Sequence, residues 1–218
     1  PIDVYEYSDI IEYADNFLTG VQFAYMLTPQ HQFTFQILDS RTKTFKDLYG
    51  PQPNLEEAKL PLAFVANWRG SFFDGKFSTI WSYAFHNEAR DTMLDEPAGM
   101  NYIALGNQLK LGKFTLQYDF KWSQEDLDRT YVISEQVNGA SEYNYALRNT
   151  LYIGHWLHLA YRVSPKVNLA FVGMMDIANW KDKQGQNFSD YDEHFRTAYG
   201  FIPTIEYYPF KDLNLRFY

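Results

Sequence analysis

Phe114-Thr115-Leu116-Gln117-Tyr118-Asp119-Phe120-Lys121-Trp122-Ser123 alternates without a break. Phe114, Leu116, Tyr118, Phe120 and Trp122 make one face; Thr115, Gln117, Asp119, Lys121 and Ser123 make the other, because successive side chains of a strand point to opposite sides. The stretch is a β-strand with one apolar and one polar face. Its length matches the roughly 9–11 residues of a tilted strand crossing hydrocarbon, whereas strands of soluble sheets cluster near 5–6.

The same alternation recurs on both sides of it. Residues 17–28 and 32–38 are joined by Pro29-Gln30-His31, and residues 61–72 and 76–85 by Phe73-Asp74-Gly75. Gly112-Lys113 joins 100–111 to 114–123, Ser164-Pro165-Lys166 joins 147–163 to 167–179, and residues 209–212 join 195–208 to 213–218. Gly tolerates positive φ and Pro presets its own, so these connections are tight reversals. Between the hairpins lie long polar segments at 39–60, 86–99, 124–146 and 180–194, and residues 1–16 form a loop leading into the first run. Connections that alternate between short and long place turns at one rim and loops at the other. The expected fold is all-β, an antiparallel up-and-down transmembrane β-barrel with ten strands visible in one unit spanning residues 1–218.

Composition fits. Aromatic residues make up 19% of the 218 residues, yet mean hydropathy is −0.42 and no apolar stretch is long enough for a spanning helix. A barrel reconciles these, since every second residue faces lipid and the others face water. A soluble β-sandwich also alternates, but turns its apolar face inward. Strand length, aromatics crowding the apolar face near run ends, and loops that alternate by rim favour the barrel. The absence of Cys suits a cell-envelope protein and a cytosolic one alike. Pro1-Ile2-Asp3 has neither the basic start nor the apolar core of a signal peptide, so the sequence is expected to be a mature form or a piece of a longer chain.

Charge divides by rim and by face. All but five of the 27 acidic residues fall in the long-loop segments, while most of the 19 basic ones lie in strands and short turns. Within the strands the charges are Arg69, Lys110, Lys121, Arg148, Arg162, Arg196 and Arg216 against Asp119, Asp176 and Glu206. By parity all of them fall on the polar face, the lumen of a barrel; a charge on the lipid face costs up to about 2–4 kcal/mol at the midplane. A predominantly basic lumen lowers the barrier for anions, and Arg grips phosphate or carboxylate through paired donors. These residues are the candidate pore lining. A solvated sheet face bearing ordinary ion pairs is the bland alternative. The acidic rim suggests divalent cations shared with lipopolysaccharide phosphates, or simply soluble loops.

Tyr5-Glu6-Tyr7-Ser8-Asp9, residues 17–23, Gly70-Ser71-Phe72-Phe73-Asp74-Gly75-Lys76-Phe77, Tyr118-Asp119-Phe120 and Glu125-Asp126-Leu127-Asp128-Arg129 resemble the phosphate-selective porin O/P family of Bacteroides-type Gram-negative bacteria. The resemblance runs along nearly the whole chain. It implies a bacterial outer-membrane channel for small anions or other small solutes, usually homotrimeric, set among lipid and lipopolysaccharide, with loops folded inward to narrow the pore. It also implies an arginine ladder, for which Arg148, Arg162, Arg196 and Arg216 are candidates, and a lysine cluster. Here Lys43, Lys46 and Lys59 share a long loop with Glu56 and Glu57. A water-filled channel needs about 16–18 strands, so the ten runs are expected to be part of a barrel of about 16, with strands missing at both ends.

No nucleotide-binding loop, GxSxG or HExxH motif occurs, and the expectation is a non-enzyme without cofactor, metal or nucleic-acid partner. His155 and His158, three residues apart on a strand, fall on opposite faces, His155 toward lipid and His158 toward the lumen. Asp182, Asp190, Asp192 and Glu193 share a loop but lack the spacing of an EF-hand. The alternative function is a non-channel β-protein, an outer-membrane or soluble binding or scaffold module that takes carbohydrate through Tyr-rich loops.

Overall fold

The computed structural model of the protein describes residues 20–39, 55–91, 96–127, 147–182, 195–210 and 213–218. Every element among them is a strand: β1 (Gly20–Thr28), β2 (His31–Asp39), β3 (Leu55–Phe72), β4 (Phe77–Asp91), β5 (Glu96–Leu111), β6 (Phe114–Leu127), β7 (Leu147–Ser164), β8 (Val167–Asp182), β9 (Phe195–Phe210) and β10 (Leu213–Phe217). They form a single sheet in sequence order, each strand antiparallel to the next. This is an up-and-down meander. Among the described residues β1 and β10 are its two edges and do not pair with each other.

At the short-turn rim the strands match the alternating runs to within a residue, except that β9 continues to Phe210 where a turn was expected from 209, and at the other rim they outrun them. β3 begins at Leu55, β4 continues to Asp91, β5 begins at Glu96 and β6 continues to Leu127. These extensions carry Glu56, Glu57, Glu88, Asp91, Glu96 and Glu125. Backbone pairing persists there although the alternation has ended, because strands that rise past the hydrocarbon have no lipid to face.

The short turns follow from their residues. Phe73, Asp74 and Gly75 take φ of 53, 54 and 80°, and the turn is closed by Gly75 N–H to the Phe72 carbonyl and Lys76 N–H to that of Phe73, both at 3.1 Å. Gly112 has φ of 60°, a left-handed value open to Gly at little cost. The Thr28-Pro29-Gln30 and Ser164-Pro165-Lys166 turns share one device: the hydroxyl before the proline accepts the N–H two residues on, at 3.2 Å in each.

Which face is covered decides between barrel and sandwich. Among the described residues the buried side chains are Ala63, Ala84, His86, Met100, Ser123, Ala170, Val172, Thr204 and Thr79. All but Thr79 belong to the polar-parity face, as the register shows. The apolar-parity face stands in the open, with Phe23, Trp81, Tyr199 and Phe201 more than half exposed. A curling sheet crowds side chains on its concave side and spreads those on its convex side, so the polar face is the inner one. That is the inverse of a soluble sandwich.

On the convex face cross-strand aromatic pairs stack, Phe35 on Phe64 at 6.4 Å and Phe64 on Phe85 at 6.5 Å. Next to them Phe33, Trp68 and Trp81 form a second row. Such pairs contribute about 0.5–1.5 kcal/mol each beyond their burial. Several polar groups on this face bond to one another. Thr79 Oγ1 donates to Asn107 Oδ1 at 2.8 Å and accepts from Trp81 Nε1 at 2.9 Å, and the Tyr83 hydroxyl donates to Asn101 Oδ1 at 2.8 Å. A lipid-facing surface requires such internal partners.

Candidate pore-lining surface

Register sorts the concave face into rows that cross the strands. One row runs Gln32, Arg69, Ile80, Gly106, Asp119, Trp156, Met174, Gly200. The next runs Asn67, Ser82, Ala104, Lys121, Gly154, Asp176, Ala198. Nearer the short turns lie Arg162, Asn168, Glu206 and Arg216, each the cross-strand partner of the next. Lys110 is exposed and pairs in register with Thr115. Arg196 holds the position opposite Ala178. Arg148 sits opposite Leu127 on β6 and, across a register shift, opposite Lys181 on β8.

Two groups of charges come together. In the first, Lys121 interacts electrostatically with both Asp119 and Asp176, and Asp176 Oδ1 accepts a 2.8 Å hydrogen bond from the Tyr152 hydroxyl. Glycines make the room. A Cβ on Gly106 would lie 3.3 Å from Asp119 Oδ1, and one on Gly154 would lie 3.3 Å from Asp176 Oδ1 and 3.2 Å from the Tyr152 ring. Glycine inside a strand commonly marks such a close approach. One ammonium shared by two carboxylates leaves the group net negative.

In the second, Glu206 Oε1 lies 3.3 Å from Arg216 Nε. Its Oε2 accepts from Asn168 Nδ2 at 3.2 Å and from the Tyr208 hydroxyl at 3.0 Å, and Asn214 Nδ2 donates to that hydroxyl at 3.2 Å. Arg216 is therefore held by a carboxylate. Arg162 remains exposed beside it, and together with Lys166, Asn168 and Tyr208 it lines an open recess of about 540 Å³ at the short-turn rim.

Sequence parity identified the charged members of both groups but not Tyr152, Asn168, Tyr208, Gly106 or Gly154. Only the two in-strand glycines left a signal that could have been read. The two histidines separate as the parity required: His155 Nδ1 lies 2.8 Å from the Tyr118 hydroxyl on the apolar side, and His158 Nδ1 lies 2.9 Å from Gln117 Oε1 on the polar side. Among the described residues no three His, Asp or Glu side chains gather as a metal site. Asp190, Asp192 and Glu193, like the loop of residues 1–16, lie outside the described residues.

A meander with an apolar convex face, a charged concave face and its described tight turns all at one rim defines the class of outer-membrane β-barrels. Residues 1–218, the whole sequence, match the phosphate-selective porin O and P family, and the chain belongs to it. Among solved structures the fold is similar to that of the outer membrane channel DcaP of Acinetobacter baumannii, with 12% sequence identity and a TM-score of 0.61 over 91% of this chain. The match covers 54% of that channel, so this chain spans about half of its length. No curated protein matches the sequence.

Proposed function

We propose that this chain forms part of the wall of a porin in the bacterial outer membrane, through which small solutes diffuse passively and anions such as phosphate are favoured. The observation that carries this reading is the inverted sheet: Arg69, Lys110, Lys121, Arg162, Arg216, Asp119, Asp176 and Glu206 share the concave parity, whereas Asp39, at the long-connection end of β2, holds the other. Arg69, Lys110, Lys121, Arg148, Arg162, Arg196 and Arg216 outnumber Asp119, Asp176 and Glu206, which supports a preference for anions. The protein acts without chemistry of its own, as a single barrel domain that assembles as a homotrimer among lipid and lipopolysaccharide. Planar-bilayer recording of the full-length protein tests both levels. Single-channel steps are expected, with a reversal potential in a KCl gradient on the anion side. Absence of steps would remove the porin reading, and a reversal potential on the cation side would remove the anion preference.

A further inference from the structure

We infer that the concave face carries a recess for an elongated zwitterion of tripeptide length, with Arg69 taking its carboxylate and Asp119 its ammonium. The inference rests on the porin reading and adds a solute class to it. Arg69, Ile80, Gly106 and Asp119 are successive cross-strand partners from β3 to β6. Three inter-strand steps of about 4.8 Å separate the two charged residues by roughly 14 Å at the backbone. They stand at opposite ends of an open recess of about 350 Å³, which Ser78, Ile80, Gln108 and Gln117 also line.

Each part of the recess has a role. Ile80 and Gly106 form its floor, and Gly106 keeps the floor open beside Asp119, where a Cβ would come within 3.3 Å of the carboxylate. Ser78, Gln108 and Gln117 follow one another across the strands as a polar wall. Their amides and hydroxyl offer both donors and acceptors to peptide groups. Arg69 is exposed, and among the described residues it has no ion pair. Asp119 shares Lys121 with Asp176, so a second cation is attracted to it. An extended tripeptide spans about 10 Å between its ends, and the two side chains bridge the remainder.

The test is open-channel recording of the full-length protein with triglycine, N-acetyltriglycine or triglycine amide in the bath. Triglycine is expected to interrupt the current at about fivefold lower concentration than either derivative, as one exposed ion pair at each end provides. Asp119→Asn removes the advantage over the acetylated peptide and keeps that over the amide. Arg69→Gln does the reverse. Equal interruption by all three peptides through an open channel, or variants that retain both advantages, would overturn the recess while leaving the porin reading intact. A protein that opens no channel would overturn both.

Discussion

Leu159 and His158 are neighbours on β7 with opposite destinations. Leu159 pairs in register with Leu116 and Phe171 on the convex face, whereas His158 pairs with Gln117 and Val172 on the concave one. Leu159 is also close to mid-membrane: five residues from Ser164 at about 3.3 Å each and a tilt of about 40° put it roughly 13 Å above the turns, half of an apolar band of about 25 Å. Leu159→Arg is therefore expected to cost about 2–4 kcal/mol of folding free energy, roughly 30- to 1,000-fold in the equilibrium constant. His158→Arg keeps a polar group beside the Gln117 amide in water and is expected to change stability by less than about 1 kcal/mol. Equilibrium urea unfolding of the full-length protein in lipid vesicles measures both. A larger loss for His158→Arg than for Leu159→Arg would refute the assignment of the faces.

Further substitutions probe the inner surface and the turns. Glu206→Gln removes the carboxylate that holds Arg216 at 3.3 Å, so the reversal potential in a KCl gradient should move toward anions; movement toward cations would contradict a luminal position for the pair. Tyr152→Phe deletes the hydroxyl donated to Asp176 Oδ1 and should lower stability by about 1–2 kcal/mol in urea unfolding, an unchanged midpoint counting against that bond. Gly112→Val forces a β-branched residue to a φ of 60° and should cost about 1–2 kcal/mol, while Lys113→Ala in the same turn should be nearly neutral.

The faces of the strands were legible because lipid on one side and water on the other impose period-two alternation, as along β6 from Phe114 to Ser123. The upper ends were not. Glu56, Glu88 and Glu125 extend β3, β4 and β6 beyond the apolar pattern, since pairing alone holds those parts. Parity likewise put Glu206 and Arg216 on the polar face, but counted them as separate charges. That they touch, with Asn168 and Tyr208 on the same carboxylate, depends on cross-strand register, and no local run of residues encodes it. For the same reason the opposition of Arg69 and Asp119 across three strand steps was invisible, although Gly106 between them marked a place where something approaches the backbone.

Thiol accessibility along β6 tests the inverted sheet most directly, and residues 1–218 hold no Cys to compete with an introduced thiol. Single cysteines at 115, 116, 117, 118, 119, 120, 121 and 122 in the reconstituted full-length protein would be exposed to a charged, water-soluble reagent. Labelling at Thr115, Gln117, Asp119 and Lys121, with protection at Leu116, Tyr118, Phe120 and Trp122, is the predicted result. The opposite alternation, or uniform labelling of both sets, would contradict the account.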